Sequence, residues 1–296
     1  MPWMRSVLFI PGGNERMLAK ASGIGADVVA FDLEDAVPAE QKPRARDLVR
    51  QHLKFVAPGT RAYCRVNGWE TGLTGDDLDA VVADGLAGVC LSKCAGPGDV
   101  RRLDAELAAR ERRAGVEPGS VEVQLFVESA RGLLLAYESA TASGRVRSVV
   151  FGALDYARDM ALGPEVTGPG VAHARATLAL AARAAGCLPI DHAYADYADV
   201  KGFERSTLEG RRLGYAGRLL VHPGQIEPCH RAYAPLDEEI AWARRLVAAF
   251  EAEALSRGLA AMSFEGRMVD LASYQTARGL LATAAPRGEG PATRPG

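Results

Sequence analysis

The sequence predicts an α/β chain folded as a closed (β/α)₈ TIM barrel with a C-terminal helical extension. Three observations predict it. Eight short runs of β-branched and apolar residues recur along the chain. Ala-, Leu- and Arg-rich stretches of helical length separate them, the alternation expected of parallel β/α units. Polar or charged residues gather at the carboxyl-terminal ends of these runs, where a barrel of this kind builds its active site. An open doubly wound sheet is the alternative. It calls for a glycine-rich phosphate loop after the first strand, and Pro11-Gly12-Gly13-Asn14 fits neither fingerprint.

The first strand is expected over Ser6–Ile10, stopped by Pro11-Gly12-Gly13, with a helix over Asn14–Ser22. Strands follow at Val28–Leu33 and Arg61–Val66, with a helix over Pro43–Phe55 between them. Gly88–Ser92 and Val121–Val127 flank the long helical stretch Gly98–Ala114. Arg147–Phe151 comes after the helix Gly132–Ser139, and Leu188–Ile190 after the helix Ala172–Ala185. Arg218–Val221 is the eighth strand and closes the barrel. The catalytic barrel is therefore expected over residues 1–230, and a helical extension over 231–285. Within the extension Leu236–Gly258 is Glu/Ala/Arg-rich and ends at a glycine, and a second helix is expected over Tyr274–Ala284. The extension looks too small for a core of its own and is expected to pack on the barrel or on an adjacent subunit. The Pro/Gly-rich tail 286–296 is expected to be disordered.

Composition removes several function classes. A composition of 48% hydrophobic and 24% charged residues over 296 positions is that of a globular protein with a large core. A net charge of −2 gives no sign of a nucleic-acid surface. The arginines from Arg101-Arg102 to Arg110 and Arg113 are interleaved with Asp104, Glu106 and Glu111, as on a solvated helix face. Five cysteines are scattered, and only Cys90 and Cys94 are close, so no zinc site is completed. They read as thiols of a reducing compartment. The apolar run Val7–Ile10 is too short for a signal peptide, and no run approaches membrane-spanning length. A soluble cytoplasmic protein is expected.

The chemistry concentrates at the strand ends. Asp32-Leu33-Glu34-Asp35 places three carboxylates within four residues directly after an apolar strand. Like charges so close repel unless a cation or donor network holds them, and a hard ion such as Mg²⁺ suits carboxylates and water. The plainer alternative is a polar strand end that caps the next helix. Glu128 and Asp155 each follow an apolar run and are the first candidates for direct metal ligands. The alternatives are a salt bridge from Glu128 to Arg131 and a helix N-cap at Asp155. Arg65, beside Asn67, has the planar fork that suits a carboxylate or a developing enolate oxygen; otherwise it pairs with the acidic cluster. Lys93 could be a Schiff-base nucleophile only if desolvated, and an ion-pair role is preferred amid so many carboxylates. His222, before a proline, reads first as a turn histidine.

With these residues in hand, the chain resembles the citrate lyase β-subunit family and its malyl-CoA and citramalyl-CoA lyase relatives, in the HpcH/HpaI aldolase superfamily. The stretches that carry the resemblance are Arg5–Gly12, Phe31–Val37, Arg65-Val66-Asn67, Val127–Gly132, Phe151–Asp155, Ala181–Gly186 and Leu220–Ile226, and Met268-Val269-Asp270 extends it into the C-terminal region. Three departures stand out: Leu91-Ser92-Lys93 where many relatives have Leu-Pro-Lys, Glu128-Ser129 where many have Glu-Thr, and Leu271-Ala272 where a proline often follows the aspartate. None removes a ligand.

The resemblance implies Mg²⁺, or Mn²⁺ in its place, on Glu128 and Asp155, with Glu34 and Asp35 ordering its waters. It implies Arg65 on an oxygen of the small acid, and Arg16 and Lys20 on CoA phosphates. It implies a homotrimer or homohexamer in which Asp270 reaches an adjacent subunit's site and acts on the acetyl-CoA methyl group. The expected activity is retro-aldol or Claisen-type cleavage of a β-hydroxyacyl-CoA, such as malyl-CoA or citramalyl-CoA, into an acyl-CoA and a 2-oxo acid. The rivals are the citryl-acyl-carrier-protein lyase subunit of a citrate lyase complex, a malyl-CoA thioesterase, a class II aldolase on free hydroxy-keto acids, and a catalytically silent partner subunit.

Overall fold

A computed structural model describes residues 4–163, 166 and 168–284. The chain divides into two compact units, 1–233 and 234–296. The first is a closed barrel of eight parallel strands in chain order: β1 (Ser6–Pro11), β2 (Val28–Asp32), β3 (Arg61–Val66), β4 (Gly88–Leu91), β5 (Glu122–Val127), β6 (Val146–Phe151), β7 (Leu188–Asp191) and β8 (Gly217–Leu220). Pairing of β1 with β8, Val7 opposite Leu219, closes the ring. The expected (β/α)₈ fold is the one found.

The helices of this unit are α1 (Glu15–Leu18), α2 (Lys42–His52), α3 (Thr74–Val81), α4 (Pro97–Ala114), α5 (Ala130–Leu134), α6 (Ala136–Ala140), α7 (Ala153–Asp159), α8 (Pro169–Ala184), α9 (Val200–Arg212) and α10 (Ile226–Tyr233). Local chemistry sets their ends. Pro97 and Pro169 sit at helix starts, where a missing N–H costs nothing, and Gly115 ends α4 at φ 67°. The single helix expected over Gly132–Ser139 is instead two short ones meeting at Leu135.

Side chains alternate across each strand, so every barrel strand has an inward and an outward set. The inward set includes Val28, Ala30, Tyr63, Cys90, Phe126, Val150, Ile190 and Leu219, which form one buried cluster. The outward set, with Val29, Phe31, Cys64, Val89 and Leu91 among it, packs against the helices in a second and larger cluster. Strands buried on both faces explain why they read as nearly continuous apolar runs. All five cysteines are buried free thiols. Among the described residues no helix is long and apolar enough to cross a membrane.

A buried ion pair ties the start of β1 to the segment before β2. Asp27 receives the Arg5 Nε and Nη2 groups at 2.9 Å each and the Arg5 backbone N–H at 2.9 Å. Burial alone would push the Asp27 carboxyl up, but the Arg5 bonds and charge outweigh it and hold the group below the usual aspartate value. A carboxyl depressed in the folded state stabilises above its unfolded pKa and loses that contribution as pH falls through the folded value. Asp27→Asn should therefore cost about 2 kcal/mol at pH 7, the scale of charged hydrogen bonds. Urea unfolding at a series of pH values should show the gap to the unaltered protein narrowing below about pH 4. A gap independent of pH would mean that the loss is one of packing rather than of charge.

The second unit is described by itself. Helix α11 (Asp237–Ala249) runs on through a π-helical turn, Phe250–Ala254, and a 3₁₀ turn, Leu255–Arg257, to Gly258 at φ 65°. An antiparallel hairpin follows, β9 (Ala261–Phe264) with β10 (Arg267–Asp270), and then α12 (Leu271–Ala284). Glu265 and Gly266 at the hairpin tip both have positive φ, 45° and 76°, as a tight two-residue turn requires. Contrary to expectation this unit has a small core of its own. Leu246, Phe250, Val269 and Tyr274 are buried together, with the Phe250 and Tyr274 rings stacked at 5.0 Å. The tail expected to be disordered, 286–296, lies outside the described residues.

Candidate active site

Two residues beyond the inward-facing Ala30, Tyr63, Cys90, Phe126, Val150 and Ile190 come Asp32, Arg65, Ser92, Glu128, Gly152 and His192. The strand alternation therefore carries these six to the inner rim at the carboxyl-terminal mouth. A cavity of about 670 Å³ opens there, bordered by Asp35, Arg65, Glu128, Asp155 and His192 among others. A smaller one of about 330 Å³, with Phe9, Met17 and Asp32, shares Arg65 with it.

The acidic cluster after β2 is a built loop rather than a run of free charges. Asp32 accepts the backbone N–H groups of Glu34 at 2.9 Å and Ala36 at 3.3 Å, so it caps its own turn. Its two oxygens also take the fork of Arg65, Nε at 2.8 Å and Nη2 at 2.5 Å. Arg65 Nη1 is 3.0 Å from Glu34, and its guanidinium lies over the Phe9 ring at 4.9 Å. The pairing of Arg65 with the acidic cluster is thus present, and the same side chain borders both cavities. From behind, the buried Lys42 donates to the carbonyl oxygens of Leu33 at 2.7 Å and Glu34 at 2.9 Å. Asn67 donates to Leu33 as well, at 3.0 Å, and is itself held by Asp77 at 2.6 Å. Lys42 was not singled out in the sequence, because nothing local marks a helix-start lysine as reaching back to a strand-end loop.

Glu34 is buried between Arg65 and Lys93, whose Nζ is 2.9 Å away. Burial raises its pKa, and the two cations only partly offset this. Asp35 is more than half exposed and 4.0 Å from Arg65. Lys93 adopts φ 53°, a left-handed conformation that costs a non-glycine residue about 1–3 kcal/mol. The turn is held at both ends: its ammonium pairs with Glu34, and its backbone N–H donates to Glu128 Oε1 at 2.6 Å. Burial would lower the ammonium's pKa, but the bond to Glu34 raises it above the usual value. A lysine so protonated is no Schiff-base nucleophile.

Glu128 is 6% exposed, and its pKa is pushed up to about 8 by burial and by the neighbouring charges of Asp155 and Glu34. The pair with Arg131 is not formed. A Cβ added to Gly152 would sit 2.5 Å from the Glu128 Cβ and 2.6 Å from Oε2, so only glycine leaves room for this carboxylate. Gly152, not Asp155, is the N-cap of α7; Asp155 lies in the first turn, 2.5 Å from the surface Arg158.

The remaining candidates of the barrel unit, Arg16, Lys20 and His222, border neither cavity. Arg16 and Lys20 are exposed at and after α1. His222 caps the turn before α10, its Nδ1 accepting the Gly224 N–H at 3.0 Å, and stacks on Tyr197 at 4.9 Å. Asp270 belongs to the second unit, where it caps α12 by accepting the Ser273 N–H and Oγ–H, both at 2.9 Å. Those bonds hold its pKa below the usual aspartate value. Asp191, the last residue of β7, points outward to Arg175 at 2.9 Å and 2.5 Å. The inward group is its neighbour His192, which counting by twos from the apolar Ile190 would have found.

Residues 5–223 match the family described as HpcH/HpaI aldolase/citrate lyase. The chain belongs to this family. It is 36% identical over 281 residues to citrate lyase subunit beta of Escherichia coli K12, covering 95% of this chain and 93% of that one. It is 35% identical, over 95% of this chain and 94% of the relative, to a (3S)-malyl-CoA thioesterase of Cereibacter sphaeroides. Among solved structures it is similar to the CitE protein of Mycobacterium tuberculosis in complex with magnesium, acetoacetate and coenzyme A. That match has a TM-score of 0.79 and 32% identity, over 95% of this chain and 98% of that one. Family membership makes this chain an enzyme of the carbon–carbon lyase type.

Proposed function

We propose that this enzyme is a Mg²⁺-dependent lyase that cleaves a carboxylate-bearing β-hydroxyacyl-CoA, of the malyl-CoA or citramalyl-CoA type, into an acyl-CoA and a 2-oxo acid. The observation that carries the proposal is the pair Glu128 and Asp155 on one cavity with Arg65. The residues fit the ion. Glu128 is a buried carboxylate pressed toward its neutral form by another carboxylate, the situation a divalent cation reverses. Gly152 leaves the cradle that a Cβ would fill. Among the described residues no three His, Cys, Asp or Glu side chains gather as a closed ligand set. Two carboxylates completed by water and substrate oxygens is the coordination Mg²⁺ prefers. The crystallised CitE relative carries magnesium and coenzyme A, which supports both assignments.

Glu128 and Asp155 would hold the ion, with Glu34 and Asp35 ordering its waters. Bound there, Mg²⁺ supplies a Lewis acid for the 2-oxo acid's carbonyl. Arg65, kept rigid by Asp32 and Glu34, directs its remaining N–H groups at the oxygen that gains charge as the carbon–carbon bond breaks. Met17 of α1 borders the smaller cavity, and Arg16 and Lys20 beside it are the cations we assign to the CoA phosphates. Asp270 is the acid/base for the acyl-CoA methyl group, donated by an adjacent subunit of a trimer or hexamer.

Cleavage products decide among the rivals. With Mg²⁺ and malyl-CoA or citramalyl-CoA, the proposal expects acetyl-CoA with glyoxylate or pyruvate. Free CoA with malate would establish the thioesterase instead. Turnover confined to an acyl-carrier-protein thioester would establish the citrate lyase subunit. The role of Asp270 has its own test. Asp270→Asn should keep Mn²⁺ and pyruvate binding but lose condensation by about 10²-fold or more, the usual worth of a general base. Mixing it with inactive Asp155→Asn protein under subunit exchange should restore part of the activity. Exchange without recovery would place Asp270 in cis or outside the mechanism.

A further inference from the structure

Two inward-facing rim side chains, those of Ser92 and His192, are neither carboxylates nor partners of one in the scheme above, and of the two only His192 borders the cavity. His192 is 8% exposed and borders the same cavity as Glu128, Asp155 and Arg65. Strands β6 and β7 pair with Val150 opposite Ile190, and continuing that register by two residues sets His192 opposite Gly152. Gly152 in turn lies against the Glu128 carboxylate. Carboxylate, glycine and imidazole therefore follow one another around the rim, at neighbouring-strand spacings of about 4.8 Å. The missing side chain at the middle position leaves its room to the Glu128 carboxylate, and all three residues line the same cavity.

The imidazole is held in one orientation and one tautomer. Its backbone N–H donates to Asp191 Oδ1 at 3.0 Å, and its carbonyl accepts Arg218 Nε at 2.9 Å. Asp191 is itself clamped by Arg175. The ring packs edge-on to Phe151 at 6.2 Å. Nδ1 is 2.8 Å from the Ala193 carbonyl, which can only accept, so Nδ1 carries the proton. Nε2 then presents a lone pair. It makes no hydrogen bond among the described residues, and the nearest carboxylate oxygen, of Asp191, is 3.9 Å away. Burial pulls the ring's pKa below the usual histidine value; Asp191 opposes this, and Arg218 and Arg175 reinforce it. The ring is thus a neutral base at neutral pH. Among the described residues nothing else packed around it gives Nε2 a structural task.

We propose that His192 Nε2 accepts the proton of the substrate's carbinol hydroxyl. The inference rests on the lyase reading. In the cleavage direction the O–H bond breaks and Nε2 takes the proton. The oxygen's electron pair forms the new C=O of the 2-oxo acid, and the carbon–carbon bond's pair becomes the thioester enolate. The enolate takes a proton from the acid/base, and His192 later returns its own proton to solvent. No oxidant or co-reactant is needed. In the condensation direction protonated His192 gives the proton back to the nascent hydroxyl.

The test separates this step from the rest of the cycle. Removing a proton from the acyl-CoA methyl group does not involve the carbinol oxygen. In ²H₂O with Mg²⁺ and oxamate as a non-reacting 2-oxo acid mimic, His192→Ala should wash deuterium into acetyl-CoA within about threefold of the unaltered rate. Its cleavage of malyl-CoA or citramalyl-CoA should fall about 10²- to 10⁴-fold. Added imidazole should restore cleavage in a concentration-dependent way without changing the exchange rate. His192→Asn, which keeps the backbone bonds to Asp191 and Arg218, should show the same split. Cleavage within threefold of the unaltered rate in both variants would overturn the proposal. So would parallel loss of exchange, cleavage and Mn²⁺ affinity in both, which marks a merely structural role. The unaltered protein is the control: if it cleaves neither thioester, the lyase reading has failed, and this step falls with it.

Discussion

Asp155→Asn should bind Mn²⁺ too weakly to saturate and should lose turnover by about a thousandfold or more. That corresponds to the several kcal/mol a Lewis acid contributes, at about 1.4 kcal/mol per factor of ten. The substitution removes one charge with almost no change of shape. Among the described residues it would cost the fold the pair with Arg158, whose side chain is 76% exposed. Pairs so exposed contribute about 0–1 kcal/mol, so the variant should unfold in urea nearly as the unaltered protein does. Electron paramagnetic resonance titration with Mn²⁺ and a cleavage assay check both halves. Mn²⁺ bound as tightly as before would remove Asp155 from the site.

Arg65→Lys keeps the charge and loses the fork. In the structure the fork spans both oxygens of Asp32 while the third nitrogen faces Glu34. An ammonium can meet only part of that set, and it has no planar face for the Phe9 ring. The expected result is a fall in kcat/KM of about 10²-fold or more, carried mainly by kcat, as for a lost oxyanion donor. Arg65→Met should in addition destabilise the protein by about 3–5 kcal/mol, because it leaves buried Asp32 and Glu34 without their cation. A lysine variant that turns over normally would reduce Arg65 to a structural partner of the acidic loop.

The barrel was legible because strands buried on two faces leave an apolar, β-branched record that local sequence cannot disguise. Arg61–Val66 was located to the residue, and the other seven strands to within a residue or so. The hairpin Ala261–Asp270 was missed because its turn is Glu265-Gly266, and its strands are only four residues long with a single buried residue between them. Helices α5 and α6 were read as one because the break at Leu135 is a matter of backbone geometry, not of a proline or glycine.

At the site, the residues that follow an apolar strand could be named, but their directions could not be seen without counting. Asp191 and His192 show the difference. Asp191 is the last residue of β7, turned outward to Arg175 by the strand's alternation, and His192, one residue on, faces the barrel mouth. The contacts that hold the acidic loop were invisible for another reason. Lys42 and Asn67, the latter held by Asp77, converge on Leu33 and Glu34 from separate elements, and no periodicity encodes that meeting. The left-handed turn at Lys93 was equally hidden, since lysine carries no local signal for positive φ.

The central claim is that this chain makes and breaks a carbon–carbon bond with the help of a divalent ion. A mass-spectrometric screen tests it most directly. The purified protein is given acetyl-CoA or propionyl-CoA with glyoxylate or pyruvate, once with Mg²⁺ and once with excess EDTA. The account predicts a β-hydroxyacyl-CoA of the summed mass in at least one Mg²⁺ mixture and in none with EDTA. Turnover undiminished by EDTA, or release of free CoA with no condensation product from any pair, would contradict it.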